Sequence, residues 1–477
     1  MTERQRHWGA IVGVLGLAAA LRLGVAWWRP GVVHPDETIQ YLEQAYRLVT
    51  GRGLVPWEYV VGARSWLLPG LMVPVVAAAR AISTDPAALR LAVALLGVAI
   101  SLAGLAAAAA IGARAGGRAA AWWCAGLAAL WPELVYFAPH VLADTVAGAL
   151  LIGAIAAGYD PAAPPRRRLL AGLFLGLALV LRPPLGPAVA VAAIALAGPC
   201  ARSRWGALAI GGLGAVAVYG LVDWLSWGVT FGSIATYVRA NAAGVADAFG
   251  RSPPETYLVG EVEVWGWATL PVLATAALGA RRAPLIAGVA LVVVATLSAI
   301  GHKEYRFLYP ALPLLLTLGG IGTAGLVERC GPRLIPVAVC GWLAAALLTA
   351  TTPAMRAHWQ RDAAVVAALD RLNDDPATCG VAVVPAAAWG HVGRSRLRDD
   401  LALKDVRDPR GYDTLLLLEG TPTDSGLPGY GPATCFAGVE RACVRRRPGG
   451  CTAGMPLGGV GAPAPAVDAV LRREGLR

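Results

Sequence analysis

The chain has 477 residues, of which 57% are hydrophobic and only 15% are charged. A soluble domain carries about 25% charged residues, so this composition excludes a disordered chain and argues against an ordinary soluble enzyme. The net charge of +11 could indicate nucleic-acid binding, but most arginines outside the C-terminal region lie in short segments between apolar stretches. This placement is typical of membrane topology, so we predict a polytopic membrane protein that binds no nucleic acid.

Eleven apolar stretches have about the length that crosses a bilayer. They cover 8–28, 88–112, 119–137, 141–158, 168–182, 185–199, 205–224, 262–280, 284–300, 307–327 and 333–351. With eleven spans, the basic clusters between them all fall on the cytoplasmic side, as the positive-inside rule requires. This arrangement makes 66–83 a non-spanning helix at the outer surface, and it places the N-terminus inside and the first loop, 29–87, outside.

The density of charged residues changes near residue 351. Residues 352–477 carry 30 charged side chains, whereas the much longer segment 1–351 carries 41. We therefore predict a membrane domain at 1–351 and an outer, water-exposed domain at 352–477. A helical pattern at 355–373 and strand-like runs at 379–385 and 413–418 indicate a small α/β fold for the outer domain. Its four cysteines could form one or two disulfides in an oxidising compartment.

Acidic residues are rare in the membrane part and collect in the predicted outer segments. Between 91 and 222 the acids are Glu133, Asp144 and Asp160. Because a charged side chain inside a bilayer costs free energy, this distribution favours an active site that faces outward.

The first outer loop carries His34-Pro35-Asp36-Glu37 directly after the first span, and an amphipathic helix is predicted from there to about Leu48. The helix dipole favours an ionised carboxylate at this position, and Asp36 could then act as a general base. One alternative is a plain helix cap with a solvated acid. Another is a metal site of His34, Asp36 and Glu37, but the sequence offers no second ligand cluster, so we predict no metal.

A second polar motif, at 302–310, lies between two predicted spans. It places His302, Lys303 and Arg306 beside Glu304 on the side of the membrane where positive charge is avoided. Basic side chains that reach towards the lipid headgroups are one interpretation. A bound anion explains the unusual side better, because Lys303 offers a point charge and Arg306 a planar fork for a phosphate. Glu304 could orient either cation.

Three further residues are weaker candidates. His140 and Asp144 stand at the start of a predicted span, as a helix cap or as substrate contacts. Arg182 ends a span before two prolines, as a headgroup anchor or as a second phosphate ligand. The sequence has no Cys-x-x-Cys pair, nucleophilic triad or nucleotide-binding loop, so we predict no cofactor and no sugar-nucleotide donor.

Two segments resemble signatures of a known enzyme family. Residues 34–71 (HPDETIQYLEQAYRLVTGRGLVPWEYVVGARSWLLPGL) resemble the first luminal loop of the family 22 glycosyltransferases, which include the GPI-anchor and dolichol-pathway mannosyltransferases. Residues 302–315 (HKEYRFLYPALPLL) are similar to that family's second signature. The resemblance covers roughly 8–330. It departs from the family pattern at 138–145, and it does not extend to the C-terminal domain.

The resemblance implies the GT-C fold, a membrane fold of many spans. Together with the apolar stretches it predicts an all-α polytopic membrane protein of about 11 transmembrane helices, beside the small exoplasmic C-terminal α/β domain. It implies an inverting transferase that takes a sugar, usually mannose, from a polyprenyl-phosphate donor. Asp36 would deprotonate the acceptor hydroxyl and Glu37 would orient Asp36 or the acceptor. The donor phosphate would be bound by four cationic residues, His302, Lys303, Arg306 and Arg182. Other substrate contacts would be His34, Gln40, Tyr41, His140, Asp144 and Glu304.

The acceptor would be a glycolipid or another glycan. The composition is rich in arginine, alanine and glycine, which favours a bacterial inner membrane as the location, with the active site on its outer face. The alternative is a lipid or glycan transporter or flippase, which should carry ionisable residues near the span centres; 91–222 has almost none there.

Overall fold

The computed structural model describes residues 3–199, 202–418, 429–451 and 465–476. Each apolar stretch predicted as a span is helical. The helices up to residue 351 are Glu3–Trp28, Glu37–Leu42, Glu43–Thr50, Trp57–Val60, Leu67–Ile82, Pro86–Leu130, Pro132–Tyr136, Ala143–Gly158, Pro165–Leu181, Gly186–Ala197, Arg202–Trp227, Gly232–Ala242, Thr256–Trp265, Thr269–Ala280, Pro284–Ala299, Leu312–Cys330 and Leu334–Thr351. Short 3₁₀ turns cover Pro183–Leu185, Ala246–Phe249, Gly266–Ala268 and Tyr305–Ala311.

Five helical stretches of the described chain are long and apolar enough to cross a membrane by length and composition. They are Pro86–Leu130, Arg202–Trp227, Thr256–Ala280, Tyr305–Cys330 and Leu334–Thr351. Five further helices are also apolar but shorter. They are Val12–Trp28, Leu67–Ile82, Ala143–Gly158, Pro183–Ala197 and Pro284–Ala299. The membrane character predicted from composition is therefore present in the helices, whereas the number of eleven spans stays a prediction.

The helix Pro86–Leu130 is interrupted in its middle. A straight helix of 45 residues would be about 68 Å long, more than twice the roughly 30 Å hydrocarbon core of a bilayer. Gly116 and Gly117 have non-helical dihedrals, and Gly117 has φ 72°, which a side chain would strain. Two helices therefore meet at this glycine pair, as the separate predicted spans 88–112 and 119–137 require.

Residue contacts divide the chain into two compact units. The helical unit consists of Met1–Val25, Gly97–Leu221 and Phe249–Arg356. The mixed unit consists of Ala26–Leu96, Val222–Ala248 and Ala357–Arg477. The first loop, predicted to lie outside, thus folds together with the C-terminal residues, and the predicted domain boundary at 351 stays a prediction.

The C-terminal part of the mixed unit contains a five-stranded sheet. Its strands are β1 (Gly380–Val384), β2 (Ala402–Lys404), β3 (Thr414–Leu417), β4 (Thr434–Phe436) and β5 (Ala442–Arg446). Their order is β2-β1-β3-β5-β4; β1 runs parallel to β2 and β3, and β5 runs antiparallel to β3 and β4. The strands predicted at 379–385 and 413–418 correspond to β1 and β3. Leu369 and Leu372 of the helix Ala363–Asp374 share a buried core with Val381, Val383 and Leu416 of the sheet.

The predicted helix 355–373 is wrong in one respect, because it is two helices, Pro353–Trp359 and Ala363–Asp374. Asp362 lies between them with φ 53° and is buried. Its carboxylate faces His391 Nδ1 at 2.9 Å, and its backbone N–H donates to Glu440 Oε2 at 2.9 Å. These two contacts stabilise the break.

Two disulfides stabilise the same region, in agreement with the one or two predicted from its four cysteines. Cys379 is bonded to Cys451, and Cys435 to Cys443. The second bond joins directly opposed residues of β4 and β5. The described chain ends with the helix Pro465–Arg473.

A loop of the C-terminal part is fastened to the helix that follows Asp36. The fully buried carboxylate of Glu43 accepts backbone hydrogen bonds from Leu54 at 2.8 Å, Arg394 at 2.8 Å and Ser395 at 2.9 Å. A carboxylate that accepts several backbone N–H groups is strongly held. Glu43 therefore joins three chain segments, although nothing in its local sequence distinguishes it from an exposed helical glutamate.

The close approach of this loop requires a glycine at one position. A Cβ atom at Gly390 would make only ordinary contacts, 3.4 Å from Ile39 Cδ1 and 3.5 Å from Pro35 Cβ. Gly393 has φ 65°, and a Cβ atom there would lie only 2.7 Å from Thr38 Cγ2. The loop thus packs directly against the helix that begins beside Asp36.

We expect Gly393→Ala to lower the free energy of unfolding by about 1–3 kcal/mol more than Gly429→Ala does, because only the first Cβ overpacks the interior. Gly429 is the matched control, since it has φ 90° and open space around the added atom. Adding Thr38→Ser to Gly393→Ala deletes the clashing Cγ2 and should restore most of the loss. Thermal unfolding followed by tryptophan fluorescence tests this, and equal losses in the two alanine variants would contradict it.

Candidate functional site

Asp36 lies at the start of the helix Glu37–Leu42 in the mixed unit, and its side chain is 16% exposed. The side chain makes no capping hydrogen bond to the helix, so the alternative of a plain helix cap does not hold. The backbone N–H of Asp36 donates to His34 Nδ1 at 3.2 Å, which leaves the proton of a neutral His34 ring on Nε2. The carboxylate of Asp36 is half-buried at the start of the helix, and its Oδ1 lies 3.5 Å from His34 Nδ1.

Glu37 is more deeply buried and holds the turn that leads to Asp36. Its Oε2 accepts the backbone N–H of Val33 at 3.2 Å, and its own N–H donates to the carbonyl of His34 at 3.0 Å. The helix that follows is π-helical from Glu37 to Leu42 and continues as Glu43–Thr50, close to the predicted range. Glu37 thus lies where it can position Asp36 through the backbone.

Gln40 and Tyr41, the other predicted substrate contacts on this helix, are both buried. Gln40 Nε2 donates to Glu58 Oε1 at 2.6 Å, and the Tyr59 hydroxyl donates to the carbonyl of Gln40 at 2.9 Å. The side-chain amide of Gln40 therefore binds a neighbouring carboxylate.

Two charged residues near Asp36 were missed by the sequence analysis. Glu58 is 8% exposed, and burial, with a smaller contribution from the charge of Asp36, raises its pKa to about 7. The guanidinium of Arg64 interacts electrostatically with the carboxylates of both Asp36 and Glu58. An acid and an arginine within the apolar run WEYVVGARSW (57–66) were the available signal. Glu58 lies 22 positions after Asp36 in the sequence, and no local pattern brings them together.

Aromatic side chains surround Arg64. Its guanidinium lies over the Tyr237 ring at 5.6 Å, and its carbonyl accepts the indole N–H of Trp227 at 3.1 Å. Tyr59 and Trp66 pack edge to face at 4.9 Å between ring centroids. Residues 57–66 of the first loop and 222–248 therefore form one wall of the site around Asp36.

The raised pKa of Glu58 predicts a pH-dependent gain in stability for Glu58→Gln. The pKa of the Glu58 carboxyl group is 4.5 in the unfolded chain and about 7 in the folded protein. Between these two pH values the folded protein binds the carboxyl proton more tightly than the unfolded chain does, so the free energy of unfolding falls as the pH rises. Above pH 7 the variant should be more stable than the parent by up to about 3 kcal/mol. At pH 5 the two should be similar.

Thermal unfolding at pH 5 and pH 8 measures this difference. Glu474→Gln is the control, because the same chemical change then occurs at a side chain that is 39% exposed. A variant that differs from the parent by the same amount at both pH values would argue against a raised pKa.

The cationic motif lies in the helical unit, where His302 is held between two oxygen atoms. Its Nε2 is 2.9 Å from Glu304 Oε1, and its Nδ1 is 3.3 Å from the carbonyl oxygen of Gly250. Both ring nitrogens can donate only in the imidazolium form. The hydrogen bond to Glu304 accordingly raises the pKa of His302.

Glu304 lies between two of the predicted phosphate ligands. Arg306 Nε donates to Glu304 Oε2 at 2.6 Å, on the opposite side of the carboxylate from His302. Arg306 is only 5% exposed. This is the arrangement expected of an acid that orients its cationic neighbours.

Lys303 makes a different set of contacts. Its ammonium donates to the carbonyl oxygens of Ser298 at 3.0 Å, Ser252 at 3.4 Å and Ile300, and it lies 5.7 Å from the centre of the Tyr257 ring. An ammonium has three N–H donors, and here all three have backbone partners. Lys303 thus links the 298–303 turn to the segment around Ser252. Its predicted role as a point charge for phosphate stays a prediction.

Arg182 and Asp144 form a buried ion pair. Arg182 Nε lies 2.8 Å from Asp144 Oδ1, and the side chains are 10% and 1% exposed. The Arg182 guanidinium lies 4.4 Å from the centre of the Phe307 ring, and Arg306 lies 5.2 Å from the same ring. Phe307, which the sequence analysis did not assign to the site, therefore holds two guanidinium groups near each other.

Asp144 does not cap its helix. The backbone N–H of Leu142 donates to Thr145 Oγ1 at 3.0 Å, so Thr145 is the capping residue of Ala143–Gly158. His140 precedes this helix; it is 8% exposed and its ring lies 5.7 Å from that of Tyr136.

The helical unit thus collects four cationic side chains around two carboxylates, those of Asp144 and Glu304. The excess of positive charge suits an anion, and a buried guanidinium gains more from a phosphate than an exposed one does.

Among potential metal ligands of the described residues, Cys379, Asp413 and Cys451 lie within reach of one another. The two cysteines are disulfide-bonded, so they offer no thiolate.

The fold of these helices is that of a known class of membrane glycosyltransferases. ArnT from Cupriavidus metallidurans bound to undecaprenyl phosphate has a TM-score of 0.61 and 13% identity, over 93% of this chain and 99% of that one. Its apo state gives a TM-score of 0.55 and 14% identity, over 92% and 98%. The predicted GT-C fold is therefore confirmed.

The chain belongs to the Alg9-like mannosyltransferase family, whose model matches residues 14–386. It is 29% identical over 313 residues to GPI mannosyltransferase 3 of Yarrowia lipolytica, an alignment that covers 63% of this chain and 60% of that protein. The chain thus spans about three fifths of the length of this relative. The family resemblance predicted from residues 34–71 and 302–315 is confirmed, and the protein is an integral membrane protein.

Proposed function

We propose that this protein is an inverting mannosyltransferase that moves mannose from a polyprenyl-phosphate carrier to a glycolipid or glycan on the outer side of the membrane. The observation that carries the proposal is the half-buried carboxylate of Asp36, which makes no capping hydrogen bond, in a chain of this family. Support for the donor comes from ArnT, a protein of similar fold whose structure holds undecaprenyl phosphate. A bacterial inner membrane is the proposed location.

In the proposed reaction, Asp36 removes the proton of an acceptor hydroxyl group. The oxygen then forms a bond with the anomeric carbon on the face opposite the lipid phosphate. The bond between that carbon and the phosphate oxygen breaks, and its electron pair stays on the phosphate. A β-linked donor therefore gives an α-glycoside. Glu37 holds the turn at His34 and so keeps the Asp36 carboxylate in position.

The leaving phosphate gains negative charge as this bond breaks, and cationic side chains are the groups that stabilise it. We assign this role to Arg306, Arg182 and His302. Arg306 and Arg182 stack on the same Phe307 ring, and Glu304 orients both Arg306 and His302. Cations of this kind neutralise a lipid monophosphate without a divalent ion, so the proposal includes none.

The proposal predicts that Asp36→Asn abolishes transfer and keeps the donor bound. We expect the rate of radiolabelled mannose transfer from polyprenyl-phosphate mannose to membrane lipids to fall about 100-fold or more, because asparagine cannot accept the proton. The Kd for polyprenyl phosphate should stay within a factor of about two, since a uniform binding loss is not expected of a general base. Asp400→Asn is the control, at a side chain that is 74% exposed.

Each outcome of this experiment has a clear meaning. Transfer by the parent that is unaffected by Asp36→Asn would remove Asp36 as the base. Transfer with another polyprenyl-phosphate sugar, but not with mannose, would correct the sugar and keep the reaction. Binding of the lipid without transfer of any sugar would favour the transporter alternative.

Arg306→Gln should weaken the binding of polyprenyl phosphate about 10- to 100-fold, because a charge-assisted hydrogen bond to the phosphate is lost. Arg306→Lys keeps the charge and should lose less. Arg281→Gln removes the same charge from an exposed loop of the same unit and should leave the Kd unchanged. Titration of the purified protein in nanodiscs with polyprenyl phosphate measures these dissociation constants. An unchanged Kd for Arg306→Gln would contradict the proposal that Arg306 binds the donor phosphate.

A further inference from the structure

Among the buried polar atoms that have no hydrogen-bond partner within the described residues, three belong to side chains near Asp36 that bond to one another or interact electrostatically. They are Gln40 Oε1, Glu58 Oε2 and Arg64 Nε. Their neighbouring atoms are fixed, since Gln40 Nε2 donates to Glu58 Oε1 at 2.6 Å. Gln40 is 2% exposed and Glu58 is 8% exposed.

Such atoms are uncommon in folded proteins, because a buried polar group without a partner has lost its water and gained nothing in return. Here they occur in residues that are bonded to one another or interact electrostatically, and that lie beside the proposed general base. A cluster of this kind indicates that the atoms bind a ligand.

The charges of the cluster select the chemistry of the ligand. The carboxylates of Asp36 and Glu58 disfavour a phosphate or a carboxylate, and the guanidinium of Arg64 disfavours a cation. A neutral hydroxyl group suits all three atoms, because it donates one hydrogen bond and accepts others. Neighbouring hydroxyl groups of a sugar can donate to Glu58 Oε2 and Gln40 Oε1 and accept from Arg64 Nε.

We propose that Gln40, Glu58 and Arg64 form a subsite that binds the non-reacting hydroxyl groups of a sugar acceptor. The proposal rests on the proposed function, in which Asp36 activates a further hydroxyl group of the same sugar. The subsite positions the acceptor by two or three hydrogen bonds, and a misplaced nucleophile is a common cause of lost transfer. A carboxyl group that titrates near neutral pH, as Glu58 does, can accept or donate in these bonds.

Binding of octyl α-D-mannopyranoside and its monodeoxy analogues, below micellar concentrations, to the full-length protein in nanodiscs tests the proposal. Glu58→Gln should weaken binding of the parent mannoside about 10- to 100-fold. The monodeoxy analogue that lacks the hydroxyl group bound by Glu58 should bind to the unmodified protein more weakly than the parent mannoside, by a similar factor. Glu58→Gln should then bind that deoxy analogue no more weakly than the unmodified protein does, because the two changes remove the same interaction.

Two further variants complete the test. Arg64→Lys keeps the charge and deletes the Nε–H donor. This variant should bind a different deoxy analogue, the one that lacks the hydroxyl group bound by Arg64, no more weakly than the unmodified protein does. Glu474→Gln repeats the Glu58 change at an exposed position and should bind every analogue normally. No binding of any of these mannosides by the unmodified protein, or a constant loss across all analogues in Glu58→Gln, would overturn the subsite.

The same samples separate this proposal from the proposed function. Mannoside binding with the expected coupling, but without transfer from any polyprenyl-phosphate sugar, would overturn the transferase and keep a sugar subsite. Transfer that depends on Asp36, together with additive effects of Glu58→Gln and every deoxy analogue, would keep the transferase and remove the subsite.

Discussion

The hydrogen bonding of buried charged side chains to backbone groups is the interaction that stabilises both units. In the helical unit, Arg22 is fully buried and donates to Ser101 Oγ at 3.0 Å and to the carbonyls of Ala128 at 2.7 Å and Ala129 at 2.9 Å. These bonds join the first helix to two points of Pro86–Leu130. In the mixed unit, the buried Glu43 carboxylate has the same function through backbone N–H groups. A buried charge without such partners would cost more than the packing gains.

The same constraint distinguishes structural polar groups from functional ones. Arg22 and Glu43 have protein partners on several sides, and both fasten helices or loops. Gln40, Glu58 and Arg64 each keep a buried atom without a protein partner. Each buried polar atom without a protein partner requires an explanation, and a bound ligand is one such explanation. The contrast with Arg22 and Glu43 is the observation on which the proposed sugar subsite rests.

The two polar clusters differ in the sign of their charge, and this difference fits two chemical tasks. Asp36 and Glu58 create a negative field that favours proton removal from a neutral hydroxyl group. Arg182, His302 and Arg306 create a positive field that favours a departing phosphate. Each cluster also contains opposite charge, Arg64 in the first and Asp144 and Glu304 in the second, which orients its neighbours and limits the cost of burying like charges.

The membrane character, the family and the two motifs at 34–37 and 302–306 could be predicted from the residues alone. This was possible because hydropathy and the chemistry of a motif are local properties of the chain. The sequence also identified β1 and β3 from short apolar runs. The break at Asp362 and the three-way bonding of Glu43 were not predictable, since their partners lie far away in the sequence.

The contacts that the predicted residues make depend on how distant parts of the chain fold together. Lys303 was predicted to bind phosphate, which stays a prediction, and the fold places carbonyl oxygens around its ammonium. Asp144 was predicted to be a helix cap or a substrate contact, and the fold gives it Arg182 as an ionic partner. Glu58 carried no motif of its own and became part of the site only because the loop folds back onto Gln40. Residue type determines which interactions a side chain can make, and long-range packing determines which of them it does make.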